Sequence, residues 1–302
     1  MRDAAPVGSH PVLAFIGLGM MGQPMAACLL RAGYVVHGHD MSEAARAAFA
    51  AQGGIAFDDA RAAVKDARII ITMLPDGRIV RQALLGEGGL ADALLPDTLI
   101  IDMSSSAPLG TARLGEELAG RGLRLVDAPV SGGVRRAVDG TLAIMAGGAA
   151  RDVEEVHPVL SAMGRSIFAT GPLGSGHAMK ALNNYVSAAG LLAASEALEV
   201  ARRFGIEGET VVDVLNASTG RNNATEVKLK PFILSRTYAS GFSLALMAKD
   251  LRTAAELGED MGLKDSFMET TARIWNDAQA DLPTQSDHTE IHRFVETRNK
   301  VG

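Results

Sequence analysis

Residues 12–40 read VLAFIGLGMMGQPMAACLLRAGYVVHGHD, and this stretch decides the fold. Its apolar start predicts a buried strand over residues 12–16, and the strand continues directly into three spaced glycines, Gly17, Gly19 and Gly22. A helical run and a second apolar strand follow the glycines. A strand, a glycine-rich turn and a helix in this order are typical of a turn that binds the phosphates of a dinucleotide.

Each glycine of this turn has its own expected role. Gly17 permits the tight turn, Gly19 lets the backbone approach a pyrophosphate, and Gly22 lets the helix pack closely on the strand. The N–H groups at the helix start would face the phosphates, with help from the helix dipole. The alternative is a glycine turn that binds no ligand. The cofactor-binding residues predicted here are Gly17, Leu18, Gly19, Met20, Met21 and Gly22.

Asp40 ends the second strand, eighteen residues after Gly22. A carboxylate at this place accepts hydrogen bonds from the ribose hydroxyls of the adenosine and repels a 2′-phosphate. The next residues are Met41, Ser42 and Glu43, so no basic residue follows immediately. We therefore predict NAD rather than NADP as the cofactor. Alternatively, Asp40 caps the helix that starts near Ser42, and one side chain could combine both roles.

From residue 12 to about residue 168, short apolar runs alternate with Ala-, Arg- and Glu-rich helical stretches. This alternation indicates a parallel sheet covered by helices on both faces. The sequence thus predicts an α/β fold with an N-terminal doubly wound sheet of the Rossmann type. After the first strand, further strands are expected at residues 34–38, 68–73, 98–102, 123–126, 142–145 and 166–168.

The pattern changes at residues 171–176, where three glycines and a proline interrupt regular structure. A long helix is predicted over residues 177–204, ending at Gly205, and every later stretch has a helical pattern. We therefore expect a dinucleotide-binding domain over residues 1–174. The long helix would join it to an all-α domain over residues 175–302, which the resemblance described below implies to be the substrate and dimerisation domain.

Composition excludes several classes of protein. The 29 basic residues are outnumbered by 35 acidic ones, so phosphate-driven binding to nucleic acid is not expected. No apolar run is long enough to span a bilayer, and residues 1–11 lack the apolar core of a secretory signal. Cys28 is the sole cysteine, which excludes an internal disulfide and fits a reducing compartment. We expect a cytoplasmic protein.

Two further segments contain residue types suited to chemistry. Ser131, Gly132 and Gly133 follow a strand and would expose consecutive N–H groups to a carboxylate, although an ordinary turn explains them equally well. Lys180 and Asn184 are four residues apart near a helix start, so they share one face beside the expected domain boundary. A water-shielded lysine can exchange the hydroxyl proton that oxidation of an alcohol by NAD releases. A surface lysine is the alternative.

Polar residues near Lys180 in the sequence, and a lysine on a later helix, have candidate roles as well. Asn184 could hold the substrate hydroxyl or the lysine itself. His177 lies three residues before Lys180 and is expected to bond to backbone rather than to carry protons. Lys249, on a later helix, could reach the cofactor or be a solvated charge. His288 and His292 are four residues apart but lack a third ligand, so no metal site is predicted.

Taken together, these segments resemble the β-hydroxyacid dehydrogenase family, which includes 3-hydroxyisobutyrate dehydrogenase and tartronate semialdehyde reductase. The resemblance extends from about residue 12 to residue 295. It rests on six motifs in order, at residues 17–22, 73–75, 102–105, 127–133 with 140–142, 174–184 and 249–250.

The resemblance implies roles for individual residues. Lys180 is expected to be the general acid–base, with Asn184 as its substrate-binding neighbour. The carboxylate site would be formed by Ser131, Gly132 and Gly133. The residues expected at the cofactor are Leu74 and Pro75 along it, Ser105 near the nicotinamide, and Lys249 closing over it. The resemblance also implies a small hydroxy-acid substrate and a homodimer or homotetramer.

Some positions depart from the family pattern. Ser105 stands where many relatives have threonine, which keeps the hydroxyl. Asp40-Met41 replaces the Asn-Arg pair of many NADP-preferring members, which favours NAD. Residues 218–223 differ from relatives near the substrate, and residues 287–292 resemble those of enzymes acting on sugar acids such as threonate. An imine reductase and a catalytically silent NAD-binding scaffold are the remaining alternatives, and Lys180 argues against both.

Overall fold

The computed structural model describes residues 11–298, and the first ten residues, predicted not to form a secretory signal, lie outside this range. The chain divides into two compact units, the first ending at Lys180 and the second beginning at Ala181. Among residues 11–298, no helix combines the length and the apolar character needed to cross a bilayer.

The first unit is built on a nine-stranded sheet. Its strands are β1 (Leu13–Ile16), β2 (Val36–His39), β3 (Ile55–Ala56), β4 (Ile69–Thr72), β5 (Leu99–Asp102), β6 (Arg124–Asp127), β7 (Val130–Ser131), β8 (Leu142–Gly147) and β9 (Gly164–Gly171). The strand order is β3-β2-β1-β4-β5-β6-β8, and both β7 and β9 pair with β8. This order reverses direction between β1 and β4, as in a doubly wound dinucleotide-binding sheet.

The predicted parallel sheet is confirmed for the first six strands in the spatial order, β3-β2-β1-β4-β5-β6. Each of these strands is parallel to its neighbours. The far edge differs, because β8 is antiparallel to β6 and β7 and parallel to β9. Strands β3 and β7 are not among the predicted strands. Each has only two residues, which is too short for an apolar pattern to stand out.

Helices cover both faces of this sheet. They are α1 (Gly22–Arg31), α2 (Glu43–Ala51), α3 (Ala60–Val64), α4 (Gly77–Leu85), α5 (Pro108–Ala119), α6 (Gly133–Val138) and α7 (Ala150–Met163), with a 3-10 turn at Leu90–Ala93. Successive strand residues point to opposite faces, so Leu13 and Phe15 belong to one buried cluster while Ala14 and Ile16 belong to another. This double burial explains why β1 is apolar at all four positions and why β4 and β5 are apolar at their first three.

The second unit is helical. Helix α8 (Ser175–Phe204) contains the division between the units and ends before Gly205, whose φ of +92° is the left-handed conformation expected of a helix-ending glycine. The later helices are α9 (Gly208–Ala217), α10 (Asn223–Val227), α11 (Leu244–Asp260), α12 (Phe267–Asp281) and α13 (Ile291–Arg298), with a 3-10 turn at His288–Glu290. Trp275, fully buried, lies in the core of this unit.

One of the later stretches with a helical pattern, residues 222–234, does not form a continuous helix. Helix α10 ends at Val227, and a π-helical turn follows at Leu229–Leu234. Pro231 explains the break, because its nitrogen carries no hydrogen and its ring would clash with the carbonyl of Val227 in a regular α-helix. Lys228 lies at the break.

Candidate active site

The carboxyl ends of the central strands bring most of the predicted site residues of the first unit to one edge of the sheet. Gly17 follows β1, Asp40 follows β2, Leu74 follows β4, Ser105 lies beyond β5 and Ser131 lies beyond β6. Ligands of open α/β sheets bind in the crevice outside this edge, where the strand order reverses. The fold therefore assembles residues that are more than a hundred positions apart in the sequence.

The glycine turn has the geometry that its three roles require. Gly17 has a φ of +100°, and a Cβ there would overlap the carbonyl oxygen of Met73. A Cβ on Gly22 would overlap the carbonyl oxygen of Gly17, so close packing of α1 on β1 needs glycine there as well. A Cβ on Gly19 would meet no heavy atom of the described residues within 4 Å. The space beside Gly19 is open, as the approach of a pyrophosphate requires.

The other residues of the turn differ in exposure. Leu18 is buried and its N–H is already bonded to Asp40, whereas Met20 is 78% exposed and Met21 is half-buried. No side chain of the described residues caps α1. In its first turn, the N–H groups of Gln23 and Met25 bond to the carbonyl oxygens of Gly19 and Met21, and Pro24 has no N–H. Contact of Leu18, Met20 and Met21 with a cofactor stays a prediction.

Asp40 joins the second strand to the glycine turn. One carboxylate oxygen accepts the N–H of Leu18 at 2.7 Å, and the other accepts the N–H of Ser42 at 2.8 Å. The N-cap of α2 is Ser42, whose hydroxyl accepts the N–H of Ala45. The side chain of Asp40 is half-buried, and each of its oxygens has lone pairs left for a ribose hydroxyl.

Arg46 is a neighbour of Asp40 that the sequence analysis missed. Its guanidinium donates to the backbone oxygens of Asp40 (2.8 Å) and Met41 (3.2 Å) and pairs with the carboxylate of Asp58 at 3.0 Å. Arg46 is six residues beyond Asp40, and only the turn into α2 brings it back. Three acceptors of the protein thus occupy this cation.

The segment after β4 is hydrogen-bonded to the segment after β5. Leu74 donates its N–H to the hydroxyl of Ser104 at 2.9 Å. Buried Asp102 accepts from the N–H of Ser104 and the hydroxyl of Ser106, and Ser105 lies half-buried between these two anchored residues. Pro75 is exposed at the same edge.

The residues at this edge fit a dinucleotide. The open side of Gly19, the uncapped start of α1 and the carboxylate of Asp40 lie around one turn, held together by the bond from Leu18 to Asp40. These are the features that a pyrophosphate and an adjoining ribose require.

The predicted carboxylate site begins in β7 and continues into α6. Ser131 is half-buried, and the two glycines after it have φ values of +129° and +67°, which side-chain-bearing residues rarely adopt. Both Gly132 and Gly133 are exposed. The turn therefore needs glycine for its conformation, and its backbone is accessible to a ligand.

A buried carboxylate holds the start of α8. Asp127, at the end of β6, accepts the N–H groups of Gly174 and His177, each at 2.7 Å. The imidazole of His177 donates through Nε2 to the carbonyl oxygen of Ser104 at 3.2 Å, while its Nδ1 bonds to the hydroxyl of Thr111 at 2.9 Å. The expectation that His177 bonds to backbone is confirmed. Burial raises the pKa of Asp127, against the opposing charge of His177.

This network positions Lys180 within the first unit. Lys180 is half-buried and lies three residues beyond His177, less than one helical turn from the bonds to Asp127. Because Asp127 and Ser104 both lie at the carboxyl edge of the sheet, the first turn of α8 is fixed at that edge. Asp127 belongs to the motif at residues 127–133 but has no predicted role; its position as an acid at the end of a buried strand was the available signal.

Asn184 lies one turn beyond Lys180 on α8 and is bonded within the second unit. Its Nδ2 donates to Asp250 at 2.6 Å, and the ammonium of Lys249 lies 3.7 Å from the other oxygen of the same carboxylate. Asp250 is buried and was missed as a functional residue. It brings the predicted residues Asn184 and Lys249 to one carboxylate, and only the fold reveals this pairing.

Two more residues have local acidic neighbours: Arg221, a residue type that could bind a carboxylate but is equally common as a surface arginine, and His288. Arg221 lies 3.6 Å from Glu226, and the Nδ1 of His288 lies 3.4 Å from Asp287. In the described part of the chain, no group of three or more His, Cys, Asp or Glu side chains is arranged to hold a metal ion.

Two family models match consecutive parts of the chain. Residues 12–171 match the NAD binding domain of 6-phosphogluconate dehydrogenase. Residues 174–295 match the domain described as NAD-binding of NADP-dependent 3-hydroxyisobutyrate dehydrogenase.

Individual proteins match over most of their length. The 2-(hydroxymethyl)glutarate dehydrogenase of Eubacterium barkeri is 40% identical over 82% of this chain and 82% of its own. The NAD-dependent L-serine dehydrogenase of Pseudomonas aeruginosa is 38% identical over 82% of this chain and 85% of its own. Among solved structures, 3-hydroxyisobutyrate dehydrogenase of Mycobacterium tuberculosis with L-serine has a TM-score of 0.87 and 34% identity, covering 94% of this chain and 99% of that one.

Proposed function

This chain belongs to the β-hydroxyacid dehydrogenase family of NAD(P)-dependent oxidoreductases, and on that premise we propose that it oxidises a small 3-hydroxy acid, or reduces the matching semialdehyde, with Lys180 as the general acid–base. The observation that carries the proposal is the clamp of Asp127 on the first turn of α8. That clamp fixes the segment bearing Lys180 at the sheet edge where the dinucleotide-binding residues meet.

The residues have separate roles in the proposed reaction. Ser131, Gly132 and Gly133 bind the substrate carboxylate through the exposed backbone of their turn. Lys180 takes the hydroxyl proton in oxidation and returns it in reduction, and Asn184, oriented by Asp250, holds the hydroxyl. When bound, the nicotinamide supplies the hydride acceptor or donor.

The cofactor residues are proposed in the same way. The glycine turn (Gly17, Leu18, Gly19, Met20, Met21 and Gly22) holds the pyrophosphate. Leu74 and Pro75 line the cofactor, Ser105 lies near the nicotinamide, and Lys249 covers it.

We propose NAD rather than NADP. Asp40 presents a carboxylate where the ribose of the adenosine binds, and a carboxylate repels a 2′-phosphate. Arg46, the cation next to Asp40, is engaged by Asp58 and by two backbone oxygens, so a 2′-phosphate would have to compete for it.

The division of the chain into domains and its assembly are proposed from membership of this family. We propose that residues 1–174 bind the dinucleotide and that residues 175–302 complete the substrate site and form a homodimer or homotetramer in the cytoplasm.

The test is an absorbance screen for NADH formation with 3-hydroxyisobutyrate, L-serine, glycerate, threonate and 2-(hydroxymethyl)glutarate, each repeated with NADP. We expect turnover of at least one acid and a preference for NAD. Lys180→Ala should lower turnover by roughly 10²–10⁴ while NAD still binds, because it removes a positioned acid–base. The matched control is Lys65→Ala, at an exposed lysine of the same unit. Unchanged turnover in Lys180→Ala would remove this lysine from the reaction.

A further inference from the structure

Lys228 occupies the break between α10 and the π-helical turn that Pro231 imposes. Its ammonium donates to the hydroxyl of Ser187 on α8 at 3.3 Å. Departures from α-helical geometry of this kind frequently occur at functional sites. The break thus directs a cationic side chain onto the helix that carries the proposed catalytic residues.

In the part of the chain that the structure describes, the ammonium of Lys228 has no acidic partner within ion-pair distance. Its one hydrogen bond among residues 11–298 is to the neutral hydroxyl of Ser187. Burial lowers the pKa of Lys228, and the negative charge of Asp287 opposes this effect from a greater distance. A half-buried ammonium has three donors to satisfy and gains from an anion in its vicinity.

The carboxylate of Asp287 is hydrogen-bonded to groups other than Lys228. Its carboxylate accepts from the hydroxyls of Ser240 and Thr289 and from the N–H groups of Gly241 and Phe242. Burial disfavours the ionised form, but these bonds and one from His288 outweigh it and hold the pKa of Asp287 well below its usual range. Asp287 is thus a structural acid that organises the turn before α11, and Lys228 stays available to another anion.

The position of Ser187 on α8 relates Lys228 to the substrate. Ser187 is three residues beyond Asn184, so the two side chains share one face and are about 4.5 Å apart along the helix axis. In the proposed function Asn184 holds the hydroxyl of the substrate. A group attached a few bonds from the hydroxyl-bearing carbon, on the side away from Lys180, would therefore extend toward Lys228.

Resting on the proposed function, we infer that Lys228 is a specificity-determining residue that binds a second anionic group at the far end of the substrate. The substrate class is then a hydroxy acid with a distal carboxylate or a similarly charged oxyanion, rather than one that ends in a methyl group. Ser187 orients the ammonium, and burial strengthens its attraction for the anion.

A matched pair of acids tests this inference. 2-(Hydroxymethyl)glutarate and 2-(hydroxymethyl)pentanoate have the same reacting end and differ in whether the chain terminates in a carboxylate or a methyl group. We expect the wild-type enzyme to favour the dicarboxylate in kcat/KM by at least about tenfold. Lys228→Met should remove this preference, mainly through KM, while the kcat and KM for the pentanoate stay within about threefold of wild type.

Two variants serve as controls. Lys230→Met removes an exposed lysine only two residues away, which pairs with Asp213 on the surface, and should leave both substrates unaffected. Lys228→Arg keeps the charge and should restore part of the preference. Circular dichroism checks that each variant is folded.

Direct binding separates this inference from the proposed function. Calorimetric titration of 2-(hydroxymethyl)glutarate into the enzyme with NADH present, where no hydride acceptor is available, should give an affinity at least about tenfold lower in Lys228→Met than in wild type. If neither acid is turned over and the screen above is negative, the proposed function is wrong, while the binding difference still decides the role of Lys228. Equal binding in the two proteins, or an equal effect of Lys228→Met on both acids, would overturn the inference.

Discussion

Replacing Gly19 or Gly22 with alanine should separate cofactor binding from folding within a single turn. A Cβ on Gly19 meets no heavy atom of the described residues within 4 Å, and the φ of Gly19 is not in the left-handed region. Gly19→Ala should therefore fold normally and change the free energy of unfolding by less than about 1 kcal/mol, toward greater stability, because alanine restricts the unfolded chain.

Gly22→Ala should behave in the opposite way. Its Cβ would overlap the carbonyl oxygen of Gly17 and lie 3.2 Å from Cε1 of Phe15. Both contacts are with a backbone group or a buried ring, so the start of α1 has to shift. We expect a loss of about 1–3 kcal/mol of stability, the usual cost of overpacking.

The affinity for NAD shows the second difference. In Gly19→Ala the new methyl group occupies the space proposed for the pyrophosphate, so NAD affinity should fall at least about tenfold, or about 1.4 kcal/mol. Urea unfolding and fluorescence titration with NADH measure the two quantities on the same protein samples. Wild-type NAD affinity in Gly19→Ala, or equal destabilisation by both substitutions, would refute the reasoning.

Two further predictions concern buried carboxylates. Asp127→Ala leaves the N–H groups of Gly174 and His177 without their acceptor and should cost about 2–5 kcal/mol in urea unfolding; a loss below about 1 kcal/mol would contradict the clamp. Hydrogen bonds from Arg202 and Arg203 lower the pKa of Glu199 from its ordinary value of 4.5 to about 2. The stabilisation from Glu199 is therefore complete above pH 4.5 and is lost as the pH falls toward 2. Over that pH interval the free energy of unfolding of wild type should fall by about 1–2 kcal/mol more than that of Glu199→Gln, a figure that allows for solvent screening at the exposed arginines. If the free energies of unfolding of the two proteins change with pH in parallel, this stabilisation by Glu199 is excluded.

The sequence predicted those features that local chemistry determines. The glycine turn was identified because Gly17 and Gly22 are positions where a side chain would collide with backbone, and such positions leave a mark in the sequence itself. The central strands were found because burial on both faces makes β1 apolar throughout and β4 and β5 apolar up to their last residue. Strand β3 has two residues and no such pattern, so it became visible only through its pairing with β2.

The remaining features depend on contacts between distant residues. Asp250 orients Asn184 across 66 positions of the chain, and Asp127 holds the N–H of His177 across 50. Nothing in the sequence near Asn184 indicates which acid it meets. Arg46 was missed for a related reason, since its place beside Asp40 results from the direction in which α2 leaves the second strand.

Asp127 precedes the turn of Ser131, Gly132 and Gly133 along the chain, and this order bears on how the turn can be engineered. The carboxylate that anchors α8 comes before Ser131 in the chain, and the turn proposed to bind the acid group lies between β6 and β8. Ala128 and Val130 are buried, whereas Gly132 and Gly133 are exposed. Engineering of this turn is therefore best directed at its exposed end, where changes leave the bonds from Gly174 and His177 to Asp127 in place.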